Sequence, residues 1–228
     1  VRGDLIRLSK IELARMIDST LVSATATRED IAKLCKDAIK YRFYSVMVNP
    51  TYVAYASRLV DGTSVRVGST IGFPFGVTLP EVKAFEAKKA VQLGAKELDM
   101  VINISALKSK EYEEVKKDIE AVAAVKRFQA DVTIKVIIET GYLNDDEKIV
   151  ACKISREAGA DFVKTSVGTV GKATVNDIKL IRKTVGEKMG VKASGGIRTY
   201  QDALAMIEAG ANRIGTSSAV AIIEQAPE

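Results

Sequence analysis

The chain has 228 residues, with 34 Lys+Arg against 29 Asp+Glu and a formal charge of +5, a balance too even to argue by itself for a nucleic-acid partner. With 47% hydrophobic but only 6% aromatic residues, its core must be built mostly from Ala, Val, Ile and Leu, and the length supports one domain with a sizeable core, or at most two small ones, which excludes disorder and disulfide scaffolds. The sequence contains no histidine, which removes the commonest general base, the commonest metal ligand and every Ser–His or Cys–His nucleophile pair.

Taken in chain order, short Val- and Ile-rich segments alternate with longer segments of helical spacing, the pattern of an α/β protein. Eight strands are predicted, at 16–19, 45–49, 65–71, 97–102, 133–139, 162–166, 191–194 and 213–216. Between them, 112–127 sets Val115, Ile119, Val122 and Val125 on one helical face. Thr199 followed by Asp202 has the form of a capping box, opening a helix that Gly210 would close. Cys35 and Cys152 form no CxxC pair or metal-binding cluster and read as buried thiols of a reducing compartment. No uncharged apolar stretch approaches the roughly 18 residues of a membrane span, and the first ten residues lack a signal-peptide core. A cytoplasmic protein with no membrane partner is expected.

An imperfect internal repeat carries more information. Gly94-Ala95, Gly159-Ala160 and Gly210-Ala211 each follow a helical segment and precede a strand, as helix stops in tight turns do. Five residues beyond each glycine stand Asp99, Lys164 and Gly215, where a purely structural repeat would place Val or Ile. Eight βα units in a single domain spanning 1–228 fit a single (β/α)8 TIM barrel better than a doubly wound open sheet. In a barrel, Asp99, Lys164 and Lys192 would lie at the C-terminal ends of the strands, where active sites form.

Lys164 sits within Asp161-Phe162-Val163-Lys164-Thr165-Ser166, and Lys192 occupies the next strand. Two ammonium groups about 4 Å apart at an effective dielectric of roughly 20 repel by about 4 kcal/mol, enough to lower one pKa by two to three units. Desolvation acts in the same direction. A lysine neutral near pH 7 attacks carbonyls, so the pair reads as Schiff-base chemistry, with Lys164 the nucleophile and Lys192 its electrostatic tuner. The competing reading is that both lysines pair with acidic neighbours or snorkel to the rim. Asp99, a carboxylate in an otherwise apolar strand, is the natural proton-transfer partner. A salt bridge to Lys135 or Lys192 is compatible with that role. Lys135 and Glu139 share one strand parity and are expected to support the site. Ser194-Gly195-Gly196 and Gly215-Thr216-Ser217-Ser218 follow the last two strands, where barrels bind phosphate through backbone N–H groups, hydroxyls and a helix start, here expected at Ser217.

These residues lie in a wider set of motifs: Ile17-Asp18-Ser19-Thr20-Leu21, Gly72-Phe73-Pro74, Glu97-Leu98-Asp99-Met100-Val101-Ile102-Asn103, Lys135-Val136-Ile137-Ile138-Glu139-Thr140-Gly141, Phe162-Val163-Lys164-Thr165-Ser166, Lys192-Ala193-Ser194-Gly195-Gly196-Ile197-Arg198 and Gly215-Thr216-Ser217-Ser218. In that order and over nearly the whole chain they resemble the deoxyribose-phosphate aldolases. The resemblance implies a class I aldolase, a carbon–carbon lyase that interconverts 2-deoxy-D-ribose 5-phosphate with acetaldehyde and D-glyceraldehyde 3-phosphate without metal or organic cofactor. By the same resemblance Lys164 forms the imine, Asp99 and Lys192 form the proton relay, Asp18 and Thr20 lie near the substrate hydroxyls, and Gly168, Gly195, Gly196, Ser217 and Ser218 bind phosphate. The implied partners are a sugar phosphate and aldehydes, with no nucleic acid, and a homo-oligomer, dimer or tetramer.

The sequence also departs from the family pattern. Ser19 stands where many members have histidine, Met47 where they have cysteine, and Thr169 where a lysine follows the Gly168 motif. A terminal tyrosine present in some members is missing after Ile222-Ile223-Glu224-Gln225-Ala226-Pro227-Glu228. Either Asp99, Lys192 and water suffice for proton transfer, or the natural chain is longer. The remaining readings are another Schiff-base or phosphate-binding barrel acting on a different sugar phosphate, and a degenerate barrel that binds nucleic acid or anions through its basic charge.

Overall fold

The computed structural model describes residues 8–227. Eight parallel strands close in sequence order, with the last pairing back onto the first: β1 (Ile17–Leu21), β2 (Ser45–Val48), β3 (Arg66–Ile71), β4 (Glu97–Val101), β5 (Thr133–Ile137), β6 (Phe162–Lys164), β7 (Gly190–Ser194) and β8 (Arg213–Thr216). Helix α1 (Lys10–Ala14) precedes β1. Around the barrel run α2 (Arg28–Tyr41), α3 (Val53–Leu59), α4 (Pro80–Gln92), α5 (Ile104–Lys108), α6 (Tyr112–Ala123), α7 (Asp145–Glu157), α8 (Val175–Val185), α9 (Tyr200–Glu208) and α10 (Ala219–Glu224). This is the single (β/α)8 TIM barrel expected from the sequence.

The period-2 alternation of each strand separates two environments. Ile17, Val46, Val67, Leu98, Ile134, Val163, Val191 and Ile214 form a buried apolar layer with helix residues such as Ile31, Ala87, Ile119 and Ile178. The opposite parity carries Asp18, Ser45, Glu97, Asp99, Lys135, Lys164, Lys192 and Arg213, all buried. Barrel interiors are ordinarily filled by Val, Ile and Leu; here the main hydrophobic core lies between sheet and helices, and the inward parity places these ions beside a few buried neutral residues such as Met47, Val101 and Ile137.

The turns follow the expected chemistry. Capping boxes start α2 at Thr27 and Asp30, α7 at Asn144 and Glu147, and α9 at Thr199 and Asp202. Gly94, Gly159 and Gly210 adopt φ of 110, 86 and 115°, the left-handed geometry that favours glycine after a helix. The helix expected over 112–127 ends at Ala123 and tightens into a 3-10 turn, Ala124–Arg127, as final turns often do. The helix start expected at Ser217 lies two residues later: Ser218 is the N-cap of α10, and its N–H donates to Thr216 Oγ1 at 2.9 Å. Cys35 and Cys152 are buried free thiols, pushed up by burial to about 11 and about 12. Among the described residues no helix is long and apolar enough to cross a membrane.

Candidate active site

Strand register brings the charged side chains together. Asp99 on β4 lies beside Lys135 on β5, and Lys164 on β6 lies beside Lys192 on β7. Asp99 Oδ2 accepts from Lys164 Nζ at 2.8 Å and from Lys192 Nζ at 2.7 Å, while Oδ1 accepts from Lys135 Nζ at 2.9 Å. One carboxylate is therefore held by three ammonium groups. Below it, Lys192 Nζ lies 2.5 Å from Asp18 Oδ2, and Lys135 Nζ lies 2.6 Å from Glu97 Oε2. Arg213 donates to Asp18 Oδ1 at 2.9 Å, Arg66 donates to Glu97 Oε1 at 2.8 Å, and Ser45 donates to Asp18 Oδ1 at 2.7 Å. The Arg213 guanidinium stacks 3.4 Å from the centroid of the Tyr44 ring. Gly215 leaves room for this lattice: a Cβ there would lie 2.8 Å from Lys192 Cε.

The electrostatics follow from burial and charge order. Burial is the largest influence on Lys164 and drives its ammonium down to about 8; Asp99 opposes the shift, while Lys192 and Lys135 add to it. Burial disfavours the Asp99 carboxylate, yet Lys135, Lys164 and Lys192 together hold its pKa well below the usual range. Asp18 is likewise lowered despite its burial, by Lys192, Lys135 and Arg213. Lys135 moves the other way: burial would lower it, but Asp99, Glu97 and Asp18 raise it above its ordinary value. The interior thus sets Asp99, Asp18 and Lys135, each shifted towards its charged form, beside one amine, Lys164, shifted towards neutrality.

A cavity of about 420 Å³ opens above this lattice, with Lys164 and Asp99 in its floor. Its wall includes Thr20, Met47, Thr70, Phe73, Gly168, Thr169, Gly195, Gly196, Arg198 and Ser217. Of the residues singled out in the sequence, Lys164, Asp99, Thr20, Gly168, Gly195, Gly196 and Ser217 therefore meet in one space. Asp18 and Lys192 are fully buried beneath the floor, in contact with each other and, through Lys192, with Asp99. Ser218 follows Ser217 as a half-buried N-cap and is not among the cavity-lining residues. A larger groove of about 520 Å³ runs beside α4 between Phe75, Val82, Phe85 and Leu93, but the buried charged lattice converges on the smaller cavity.

Glu97 and Arg213 complete the lattice and were not singled out from the sequence. Their signal was parity, since Glu97 alternates with Asp99 and Arg213 with Gly215. Phe73, Thr70 and Arg198 join the wall through folding and share no sequence spacing with Lys164. Among the described residues no group of three or more His, Cys, Asp or Glu side chains could hold a metal ion.

The pattern of the DeoC/LacD family aldolases matches residues 11–224. The chain belongs to this aldolase family. A deoxyribose-phosphate aldolase of Thermococcus kodakarensis is 58% identical over 224 residues, covering 97% of this chain and 100% of the relative. A second, from Caldanaerobacter subterraneus, is 55% identical over 218 residues, covering 95% and 94%. Among solved structures, the tetrameric deoxyribose phosphate aldolase of Aeropyrum pernix matches with a TM-score of 0.89 at 38% identity, over 96% of this chain and 92% of that one. Set against the family pattern, two of the departures noted in the sequence, Met47 and Thr169, fall in the cavity wall. Ser19 has the parity of the apolar layer and is buried.

Proposed function

We propose that this barrel, acting as one aldolase domain over 1–228, reversibly cleaves 2-deoxy-D-ribose 5-phosphate to acetaldehyde and D-glyceraldehyde 3-phosphate, a step of deoxyribose catabolism. The observation that carries the proposal is the buried Lys164 amine in the cavity floor, lowered to about 8 and hydrogen-bonded to Asp99. The neutral amine adds to the substrate aldehyde, and loss of water from the adduct gives a protonated imine. A base removes the proton of the C3 hydroxyl, the C2–C3 bond breaks, and its electron pair passes to the imine nitrogen, forming an enamine as glyceraldehyde 3-phosphate leaves. Protonation of the enamine at C2 and hydrolysis of the resulting imine release acetaldehyde and restore the amine. The imine is itself the electron sink, so this sequence calls for neither metal nor organic cofactor.

Asp99 with Lys192 is suited to relay these protons, since one carboxylate oxygen accepts from both lysines. Asp18, below the floor, acts by holding Lys192, and Thr20 offers a hydroxyl from the wall. Gly168, Gly195, Gly196, Ser217 and Ser218 form the proposed phosphate end, where glycines admit close approach of backbone N–H groups. The protein is proposed to work in the cytoplasm as a homo-oligomer, dimer or tetramer. Support for the latter comes from the tetrameric Aeropyrum relative and from the outer side of α4, where Val82 and Phe85 are 49% and 62% exposed.

Borohydride trapping tests the proposal. Incubation with deoxyribose 5-phosphate or acetaldehyde should leave a reduced adduct on Lys164, located by intact mass and peptide analysis, and Lys164→Ala should abolish it together with turnover. Absence of any adduct on the wild-type protein, or wild-type turnover in the variant, would overturn it.

A further inference from the structure

We infer that Glu139, a residue that touches no reacting group, is the positioning residue that sets the shape of the phosphate end of the cavity. The inference rests on the phosphate reading proposed above. Glu139 lies just beyond β5, its neighbours on both sides pinned to the end of β6 and the residue after it: Ile138 N–H donates to Lys164 O at 3.0 Å, and Thr140 N–H donates to Thr165 O at 2.9 Å. Its φ of 48° is left-handed, a conformation uncommon for a residue other than glycine, and one that observed strain at functional sites often takes.

The residue is 1% exposed, and both its carboxylate oxygens are held by backbone amides. Oε2 accepts from Val167 N–H at 2.9 Å and Oε1 from Gly171 N–H at 3.0 Å. These two amides bracket Gly168 and Thr169, which line the cavity. The carboxylate therefore ties both ends of the loop that presents them. The same loop supports the second glycine element. Ala173 N–H donates to Gly195 O at 3.0 Å, and a Cβ at Gly195 would lie 2.7 Å from Gly171 O. Through Gly171, one buried carboxylate thus sets the position of both glycine turns.

The chemistry of the clamp makes it sensitive to a small change. In Glu139→Gln one oxygen becomes an NH2 group that faces an N–H donor instead of accepting from it. Gly171→Ala strains the clamp from the other side, because its Cβ would fall inside contact distance of Glu139 Oε1. Steady-state kinetics on deoxyribose 5-phosphate and on unphosphorylated 2-deoxyribose, with borohydride trapping in parallel, test the inference. Both variants should raise KM for the phosphorylated substrate about tenfold and lower the preference for it over free deoxyribose by about the same factor. Lys164 should still be trapped, and Glu139→Asp, which keeps the charge, should recover part of the preference. Equal losses on the two substrates, an unchanged KM, or failure of both variants to fold would overturn the positioning role. Failure of the underlying reading would look different, as the wild-type protein itself would then trap no adduct on Lys164 or show no preference for phosphate.

Discussion

Lys135 shows how the reactive amine is tuned by a side chain that never reaches the cavity. Its ammonium repels the proton on Lys164 while serving Asp99, Glu97 and Asp18 as counter-ion. Removing it, as in Lys135→Met, should raise the Lys164 pKa from about 8. A lysine is nucleophilic only when deprotonated, so the rate of imine formation below that pKa should fall about tenfold per pH unit. The variant's whole profile should shift to higher pH, with slower trapping at pH 7. Three buried carboxylates would also lose a partner, at a cost of about 3–5 kcal/mol in stability. The pH dependence of borohydride trapping and a denaturant titration measure the two effects, and an unshifted profile would mean that burial, Asp99 and Lys192 set the amine without Lys135. Lys164 and Asp99 were legible in the sequence because an amine and a carboxylate interrupt apolar strands. Glu97 and Arg213 were not, because charges at the first position of a strand ordinarily face water, and alternation gives the face of a residue but not whether that end of the strand is enclosed.

At the scale of elements, the caps are the most directly testable feature. Thr199 accepts from the Asp202 N–H, and Asp202 accepts from the Thr199 N–H at 2.9 Å and the Arg198 N–H at 3.0 Å, so three backbone donors at the start of α9 depend on this pair. Thr199→Ala should cost about 1 kcal/mol, read as a lower denaturation midpoint with an unchanged denaturant slope. That box was legible as Thr-x-x-Asp ahead of an apolar run, and the eight strands were legible as short segments alternating with longer ones of helical spacing. Strand ends were less so. Residues 133–139 read as one strand, but β5 stops at Ile137 because Glu139 turns left-handed, and no local residue pattern announces a positive φ at a glutamate. The start of α10 was missed by two residues for a related reason: Thr216 Oγ1 takes the Ser218 N–H, a bond that sequence spacing does not reveal.

The whole molecule has two interiors of opposite character, an apolar layer under the helices and an ionic lattice inside the strands. Its outer surface also carries an apolar strip along α4 and the loop before it, with Phe75, Leu79 and Phe85 between 62% and 67% exposed. If a second copy covers this strip, Phe85→Glu should place a charge in the contact and reduce the assembly toward a 24.6 kDa protomer, as measured by light scattering. An unchanged mass would assign the contact to another face. The ionic lattice has a thermal consequence. Hydration of charged groups carries a strongly negative entropy, so the penalty for keeping Asp18, Asp99, Lys135 and Lys192 dry shrinks as water warms, while the apolar contribution per unit area levels off. Heating therefore shifts the load from the outer layer to the ions within the strands, and the part of the molecule that is most expensive to bury at room temperature becomes its reserve when hot.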